Sequence, residues 1–326
     1  MEPQAHAQPA IGLDIGGTKI AAGVVDAAGA IVQRAHAQTP GTSPALVEQA
    51  VLDLVGGLRR DAPAAPVGVG AAGWMNPDTG TVLFSPHLAW RNEPLRDRLS
   101  ELLGGTVCVA NDADAAGWAE YRFGAGQGEP NLVCLTLGTG IGGSLVADGR
   151  LRRGRFGLAG EFGHQVIVPG GHLCACGNRG CWEQYASGNA VGREARELAR
   201  ANSPMAQTLL DAAGGNAEAV TGALVTDLAA AGDPASREIV ATAGRWLGIG
   251  LANLAAALDP GAFVVGGGLG AASTLLLDEA ESAYRRHLPG RGYRPFARIS
   301  RAGLGADAGL IGAADLARLH ATGQPG

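Results

Sequence analysis

The residues of this chain that are best suited to chemistry lie between positions 161 and 188. Three of the five cysteines, Cys174, Cys176 and Cys181, fall close together, and the histidines His164 and His172 precede them. Closely spaced thiols with an imidazole nearby are typical of a tetrahedral zinc site, and glycines among them supply turns that let the thiols converge. We therefore expect a structural zinc ion here, not a set of buried free cysteines. The spacing alone leaves open which histidine is the fourth ligand.

Two carboxylates, Glu161 and Glu183, flank this cluster. Carboxylate acceptors and an imidazole such as His164 match the hydroxyl groups of a polyol. The alternative is that both glutamates are solvated surface residues. If the metal fixes the surrounding loops, the carboxylates are fixed with it, which predicts a rigid site for a small polar ligand.

A third carboxylate, Asp112, follows a short apolar run at 106–110 and precedes a helical pattern that Gly124 ends. Active-site groups of α/β folds are common where a strand's carboxyl end meets a helix. Asp112 is therefore the candidate general base for phosphoryl transfer to an alcohol, with the N-cap of the helix as the alternative. Asp114 is a second candidate acid, but its place inside the helix makes it the weaker one.

Three glycine-rich turns each follow an apolar run, and such turns let backbone N–H groups approach phosphate oxygens. They are Gly16-Gly17-Thr18, Gly138-Thr139-Gly140 and Gly266-Gly267-Gly268. None is a GxxxxGK[ST] loop, and none fits a GxGxxG that opens a helix. The first two lead into a second strand, so we predict hairpins that surround phosphate.

Charged residues accompany the first turn. Asp14 lies in an otherwise apolar strand, where a carboxylate is unusual. We expect it either to contact nucleotide-bound Mg²⁺ through water or to cap the turn. Lys19, the only lysine of the chain, follows the turn and is expected near phosphate. An arginine run could attract an anion or form a solvated or subunit-contact face: Arg150, Arg152, Arg153 and Arg155.

The composition limits the classes of protein. A chain of 326 residues fits one large or two moderate domains, and its net charge of −5 argues against non-specific nucleic-acid binding. Five cysteines, an odd number with three of them clustered, do not resemble a secreted disulfide framework. The first ten residues lack the features of a signal peptide, and the strongly apolar stretch at 246–258 is too short to span a bilayer.

The pattern of elements predicts an α/β protein. Segments 11–26 and 132–148 both read as strand, glycine turn, strand, and aligning them places Gly16 on Gly138. This internal echo favours two similar domains. Further elements are expected as a helix at 44–60, strands at 67–73 and 262–268, a mainly helical region at 190–257 and a last helix at 309–321.

Together these motifs resemble the ROK (repressor, open reading frame, kinase) family of sugar kinases, over about residues 11–318. The motifs are DIGGTK at 14–19, AND at 110–112, LGTGIGG at 137–143, GH at 163–164, CxCGxxGCWE at 174–183 and GGG at 266–268. HLAWRNEPL at 87–95, RRGRFGLAGEFGH at 152–164 and CWEQYASG at 181–188 are similar to the family's ATP-dependent glucokinases from streptomycetes and related actinobacteria.

The resemblance implies a two-domain actin-like/hexokinase-type ATPase fold with an interdomain cleft and a structural zinc site. It predicts a flexible segment 1–10 and a small α/β domain at 11–112 plus 306–326. It also predicts a large α/β domain at 113–305 that carries the zinc loop and the helical segment.

The resemblance also implies residue roles. Asp112 is the expected catalytic base, and the expected sugar-binding residues are Gly73, Asn111, Asp112, Glu161, His164 and Glu183. The expected zinc ligands are His164, Cys174, Cys176 and Cys181, with the second ring nitrogen of His164 facing sugar. The residues expected around the nucleotide are Asp14, Gly16, Gly17, Thr18, Lys19, Gly138, Thr139, Gly140, Gly266, Gly267 and Gly268.

The function so implied is transfer of the ATP γ-phosphoryl group to the 6-hydroxyl of D-glucose, with Mg²⁺ on the nucleotide. Alternatives are polyphosphate as donor, another hexose, or a sugar-responsive regulator. The expected partners are D-glucose, ATP and a second copy of the chain in a homodimer or homotetramer. Neither nucleic acid nor a membrane is an expected partner, and the location is cytoplasmic.

Overall fold

The computed structural model describes residues 8–40, 43–85 and 88–324. Most of the predicted flexible segment 1–10 therefore lies outside the described residues, as does His87 of the motif at 87–95. The chain forms two compact units, one of Met1–Pro130, Ser144–Gly160 and Gly303–Gly326, the other of Asn131–Gly143 and Glu161–Ala302.

The first unit holds a five-stranded sheet, a small three-stranded sheet and four helices among the described residues. Its strands are β1 (Ala10–Ile15), β2 (Lys19–Val25), β3 (Ile31–Gln38), β4 (Val67–Ala71), β5 (Trp74–Asn76), β6 (Thr81–Phe84), β7 (Arg91–Glu93) and β8 (Val107–Asn111). Its helices are α1 (Pro44–Leu58), α2 (Leu95–Leu103), α3 (Asp112–Phe123) and the last helix of the chain (Ala308–Ala321).

The larger sheet has the order β3-β2-β1-β4-β8, in which β1, β4 and β8 are parallel. Their carboxyl ends therefore meet at one edge, where Asp14, Gly70 and Asn111 lie in neighbouring strands. The last helix packs closely on this sheet: a Cβ added at Gly12 or Gly68 would come within 2.0 Å or 1.9 Å of its backbone oxygens. Glycine in these two strands is thus a packing requirement.

The sequence placed the domain boundary just after Asp112, whereas the first unit of the structure continues to Pro130. The reason is that α3 packs against the last helix. The indole Nε1 of Trp118 donates to Asp315 Oδ2 at 2.9 Å, and Glu120 accepts hydrogen bonds from the backbone N–H groups of Gly303 and Leu304.

The second unit contains the sheet order β10-β9-β12-β13, in which β9, β12 and β13 are parallel. These strands are β9 (Leu132–Leu137), β10 (Ile141–Ala147), β12 (Ala262–Gly266) and β13 (Arg298–Arg301). The end of β10 lies in the first unit, where it pairs with β11 (Arg150–Leu151). The helices are α4 (Glu183–Ala186), α5 (Gly188–Arg200), α6 (Gln207–Ala212), α7 (Gly222–Ala230), α8 (Pro234–Leu258), α9 (Gly267–Ala272) and α10 (Thr274–His287). The last helix of the chain is α11.

Helix α8 extends well beyond the apolar stretch at 246–258. Its 25 residues are long and apolar enough to cross a membrane by length and composition alone, and it is the one such helix among the described residues. However, 61% of its most apolar window is buried inside the protein. Gly244 and Gly248 face α10 so closely that a Cβ would meet its backbone at 2.6 Å and 2.2 Å. Such burial is typical of a core helix.

Candidate active site and metal centre

The candidate base Asp112 is the first residue of α3, directly after β8. The N-cap is Asn111, whose Oδ1 accepts from the N–H groups of Ala113 at 2.9 Å and Asp114 at 3.1 Å. Asp112 also accepts the Ala113 N–H, at 2.9 Å, from within the helix. The interpretation of Asp112 as the N-cap is therefore wrong, because the neighbouring asparagine fills that position.

Asn111 also links two strand ends of the first unit. Its Nδ2 donates to the carbonyl oxygen of Gly73 at 3.0 Å. Gly73 has a φ of +137°, and a Cβ there would lie 2.4 Å from the Phe84 carbonyl oxygen. The predicted sugar-binding pair Gly73 and Asn111 is thus brought together, and both positions are constrained by local packing.

Asp14 and Asp112 flank Gly70 at the carboxyl edge of the sheet. Asp14 pairs with Gly70 across β1 and β4, and a Cβ on Gly70 would lie 3.8 Å from the Asp112 Cα. Burial raises the pKa of Asp14 to about 7, and the charge of Asp112 adds to the rise. A carboxyl group with this pKa exchanges its proton near neutrality, and a nearby cation would favour its ionised form.

The first glycine turn is a hairpin, as predicted, between β1 and β2. Gly16 N–H donates to the Lys19 carbonyl oxygen at 3.1 Å, and Thr39 Oγ1 donates to the Gly16 carbonyl oxygen at 2.8 Å. Lys19 is exposed beside this turn. A hydrogen bond from Arg34 lowers the pKa of Asp307, and the positive charge of Lys19 lowers it further.

The other two glycine turns lie at the carboxyl ends of β9 and β12, which are adjacent parallel strands. Gly138 N–H donates to the Gly140 carbonyl oxygen at 3.0 Å and closes a hairpin into β10. Gly267 has a φ of +79°, and a Cβ there would lie 2.4 Å from the Leu137 carbonyl oxygen. The Gly266 turn opens the short helix α9, unlike the two hairpins.

Four of the predicted metal ligands converge in the second unit. The ligand atoms of His164, Cys174, Cys176 and Cys181 all lie within 4.8 Å of one another. Cys174 Sγ is 3.6 Å from His164 Nδ1, and Cys176 Sγ is 3.6 Å from Cys181 Sγ. Tetrahedral zinc with thiolate and imidazole ligands separates its ligand atoms by roughly 3.3–3.8 Å. This donor set fits a closed, structural zinc site.

The alternative fourth ligand, His172, lies outside this group. It is exposed, and its ring packs against Tyr185 with a centroid distance of 5.2 Å. Burial raises the pKa of the Cys174 and Cys181 thiols above the usual range. A divalent cation that binds both sulfurs would displace their protons and hold them as thiolates.

The two flanking glutamates meet His164 from opposite sides. Glu183 Oε1 accepts from Cys174 Sγ at 3.1 Å and lies 3.8 Å from His164 Nδ1. Glu161 Oε2 lies 3.8 Å from His164 Nε2. The Glu183 side chain is only 15% exposed, so it is not a solvated surface residue.

Glu183 also contacts the second glycine turn. A Cβ on Gly140 would come 2.5 Å from Glu183 Oε2, and Gly188 N–H donates to the Gly138 carbonyl oxygen at 2.8 Å. The metal loop, the carboxylate and the turn 138–140 therefore form one packed assembly. Sequence spacing did not reveal this contact, because Gly140 and Glu183 are distant along the chain.

The arginine run divides among several partners. Arg152 pairs with exposed Asp148 at 3.2 Å, whereas Arg153 Nε lies 3.5 Å from Asp114 Oδ2. Arg155 lies over the ring of exposed Phe156 at 5.9 Å. Asp114, the weaker candidate acid, is thus a buried residue that pairs with arginine.

Comparison with known proteins agrees with this architecture. The ROK family model matches residues 10–320, so the chain belongs to the ROK family. A glucokinase from Streptomyces coelicolor is 47% identical over 308 residues, which cover 94% of this chain and 97% of that protein. An N-acetylmannosamine kinase from Escherichia coli is 34% identical over 94% of this chain and 98% of its own length.

A solved structure with the same fold carries both substrate-like ligands. It is a ROK family glucokinase from Streptomyces griseus in complex with glucose and AMPPNP, with a TM-score of 0.86 and 47% identity. The match covers 95% of this chain and 99% of that chain. The chain therefore has the two-domain α/β fold of ROK sugar kinases.

Proposed function

We propose that this chain is an ATP-dependent glucokinase in which Asp112 is the general base. The observation that carries the proposal is the carboxylate at the start of α3, directly after Asn111, which caps the helix and donates to Gly73. A kinase that phosphorylates an alcohol needs a carboxylate that accepts the hydroxyl proton as the phosphoryl group moves. The glucokinase relatives at 47% identity over nearly the whole chain support glucose and ATP as substrates.

The sugar hydroxyls are assigned to acceptors around His164. Glu161, Glu183 and the Nε2 side of His164 would bind them, with Asn111 and Gly73 as further contacts. The burial of Glu183 and its contact with Gly140 support this assignment, because they fix the carboxylate in one orientation. A fixed acceptor loses little side-chain entropy when it binds a hydroxyl group.

The nucleotide is assigned to the three glycine turns. Gly16, Gly17 and Thr18 would offer backbone and hydroxyl donors to phosphate, and Lys19 would add positive charge. Gly138, Thr139 and Gly140 would do the same in the second unit, together with Gly266, Gly267 and Gly268. Mg²⁺, which neutralises phosphate charge in such kinases, would lie near Asp14.

The zinc ion is assigned a structural role. Its four ligands, His164, Cys174, Cys176 and Cys181, would leave no open coordination position for a substrate. Because Glu183 is packed beside His164 at the metal cluster, the ion would hold the sugar-binding carboxylate in place by ordering the loop around it. We further propose that the protein is cytoplasmic and forms a homodimer or homotetramer. Light scattering coupled to size exclusion would test the oligomeric state.

A coupled assay for glucose 6-phosphate tests the function. We expect product with ATP and glucose, and a fall in kcat of about 10²–10⁴-fold in Asp112→Asn, which keeps the side-chain shape but cannot accept the proton. Polyphosphate as donor is tested in the same assay, and fructose, mannose and N-acetylmannosamine as acceptors are tested with ATP by measuring ADP release. Equal or greater turnover with any of these would replace ATP or glucose as the assigned substrate.

A folded, zinc-loaded protein that gives no product with any donor and acceptor would contradict the enzymatic assignment and favour a sugar-responsive regulator. Full activity of Asp112→Asn would instead contradict only the role of Asp112.

A further inference from the structure

We infer that Asp114 is a positioning residue for the loop 152–160, which it holds through Arg153, and that this loop fixes the adjacent Glu161 for the sugar. Only the link from the loop to the sugar rests on the proposed function. The first step concerns Asp114, Arg153 and the loop, all of which belong to the first unit.

The loop is closed at its base and seated on the small sheet. Ala159 N–H donates to the Arg153 carbonyl oxygen at 3.0 Å, and Gly154, at φ +73°, lies against Ala159. A Cβ on Gly157 would come 2.4 Å from the Met75 carbonyl oxygen. The loop therefore has a defined shape, although Phe156 at its tip is 78% exposed.

The anchor of the loop is an ion pair whose carboxylate is buried. Arg153 Nε lies 3.5 Å from Asp114 Oδ2, and the Asp114 side chain is 6% exposed. Burial of a carboxylate is costly unless a cation or hydrogen-bond donors compensate for the lost water. Arg153 extends toward β8 as well: burial raises the pKa of Cys108, and the positive charge of Arg153 opposes that rise.

The position of this pair gives it a functional meaning. Asp114 lies in the same first turn of α3 as Asp112, and the loop ends at Gly160, the residue before Glu161. One helical turn thus carries the candidate base and the anchor of the segment that leads into a candidate sugar ligand. The other ion pair at this segment, Arg152 with Asp148, is largely exposed and stabilises little.

Hydrogen exchange and trypsin cleavage, without substrates, test the anchor directly. In Asp114→Asn and in Arg153→Gln we expect residues 154–160 to exchange about tenfold faster and the bond after Arg155 to be cleaved faster, because local opening becomes easier. Asp148→Asn is the matched control. It makes the same chemical change in the exposed pair, at a φ of +53° that asparagine tolerates, and should leave both rates unchanged.

Kinetics then test the consequence. We expect the glucose KM to rise roughly tenfold in Asp114→Asn while the ATP KM stays within about twofold, since loop misplacement affects one substrate. Arg153→Lys keeps the charge and should restore part of the glucose affinity. The double variant should be no worse than the worse single variant, because both changes break one interaction.

Wild-type exchange rates in folded Asp114→Asn and Arg153→Gln would overturn the anchor. If Asp114→Asn does not fold, the exchange rates of Arg153→Gln alone test the anchor, because Arg153 is partly exposed. Faster exchange with an unchanged glucose KM would overturn the link to the sugar. A wild-type protein without glucokinase activity would contradict the proposed function. The hydrogen-exchange result would still test whether Asp114 and Arg153 anchor the loop.

Discussion

The two hairpin turns of this protein, at 16–18 and 138–140, are similar in sequence but depend on different neighbours. The first is closed by Gly16 and Lys19, and Thr39, the residue after β3, supports it. The second is closed by Gly138 and Gly140 and packs against the carboxylate of Glu183. The first turn therefore depends on its own sheet, whereas the second depends on the metal loop.

This difference shows that two similar strand–turn–strand segments of one chain can differ in the charged groups around them. In the first turn, a cation and a preceding carboxylate, Lys19 and Asp14, supply charge. In the second, the residue aligned with Asp14 is Thr136, and Gly140 leaves space for Glu183. Under the proposed assignments, the first turn offers charge to phosphate, and the second would join the phosphate site to a sugar carboxylate.

Loss of the metal should disorder the second turn and its neighbours and leave the first turn unchanged. We expect Cys176→Ala to abolish zinc binding, accelerate hydrogen exchange at 161–188 and lower glucose phosphorylation by at least about 100-fold, because structural zinc contributes roughly 10–16 kcal/mol to its site. Metal analysis and hydrogen exchange check this. Cys134→Ala, at a buried cysteine of β9 outside the cluster, should retain zinc. Normal turnover of zinc-free Cys176→Ala would contradict the coupling.

Single glycine substitutions should have smaller effects and distinguish the roles of the two turns. In Gly140→Ala the new methyl group must displace the end of the Glu183 side chain, so we expect a roughly tenfold rise in glucose KM with little change in Tm. Gly16→Ala meets its nearest atom at 3.3 Å, and any effect should fall on ATP instead. Equal effects of the two variants on both substrates would remove the distinction.

The last prediction concerns Asp14, which has no counterpart in the second turn. Without nucleotide and Mg²⁺, the folded state holds the Asp14 proton up to about pH 7, whereas the unfolded chain releases it near 3.8. Stability should therefore fall as pH rises through this interval. Relative to wild type, Asp14→Asn should gain about 1–4 kcal/mol in unfolding free energy between pH 5 and 8. A pH-independent difference in urea titrations would contradict the raised pKa.

The pattern of residues predicted much of this protein. The strand–turn–strand segments, the helix at 113–123 and the cysteine cluster all follow from local periodicity and spacing, which depend on neighbours in the chain. The family resemblance chose His164 over His172, and the structure places His164 in the cluster and His172 outside it. The sugar and nucleotide roles of individual residues stay predictions.

Other features could not be predicted from local sequence. The N-cap is Asn111 and not Asp112, because which side chain turns back onto the helix depends on the path of the chain from β8. The pairing of Asp114 with Arg153 joins segments far apart in sequence, and nothing in either motif signals it.

By itself, the sequence determined the class of fold, the three cysteine ligands and the candidate base, since these depend on residue type and short-range spacing, whereas the choice of His164 came from the family resemblance. Only the tertiary structure decided which groups touch. It raised the pKa of Asp14 by burying it near Asp112, placed Glu183 against Gly140, and tied Asp114 to the loop before Glu161. Burial and contact depend on how distant segments pack, and such packing leaves no local signature in a single chain.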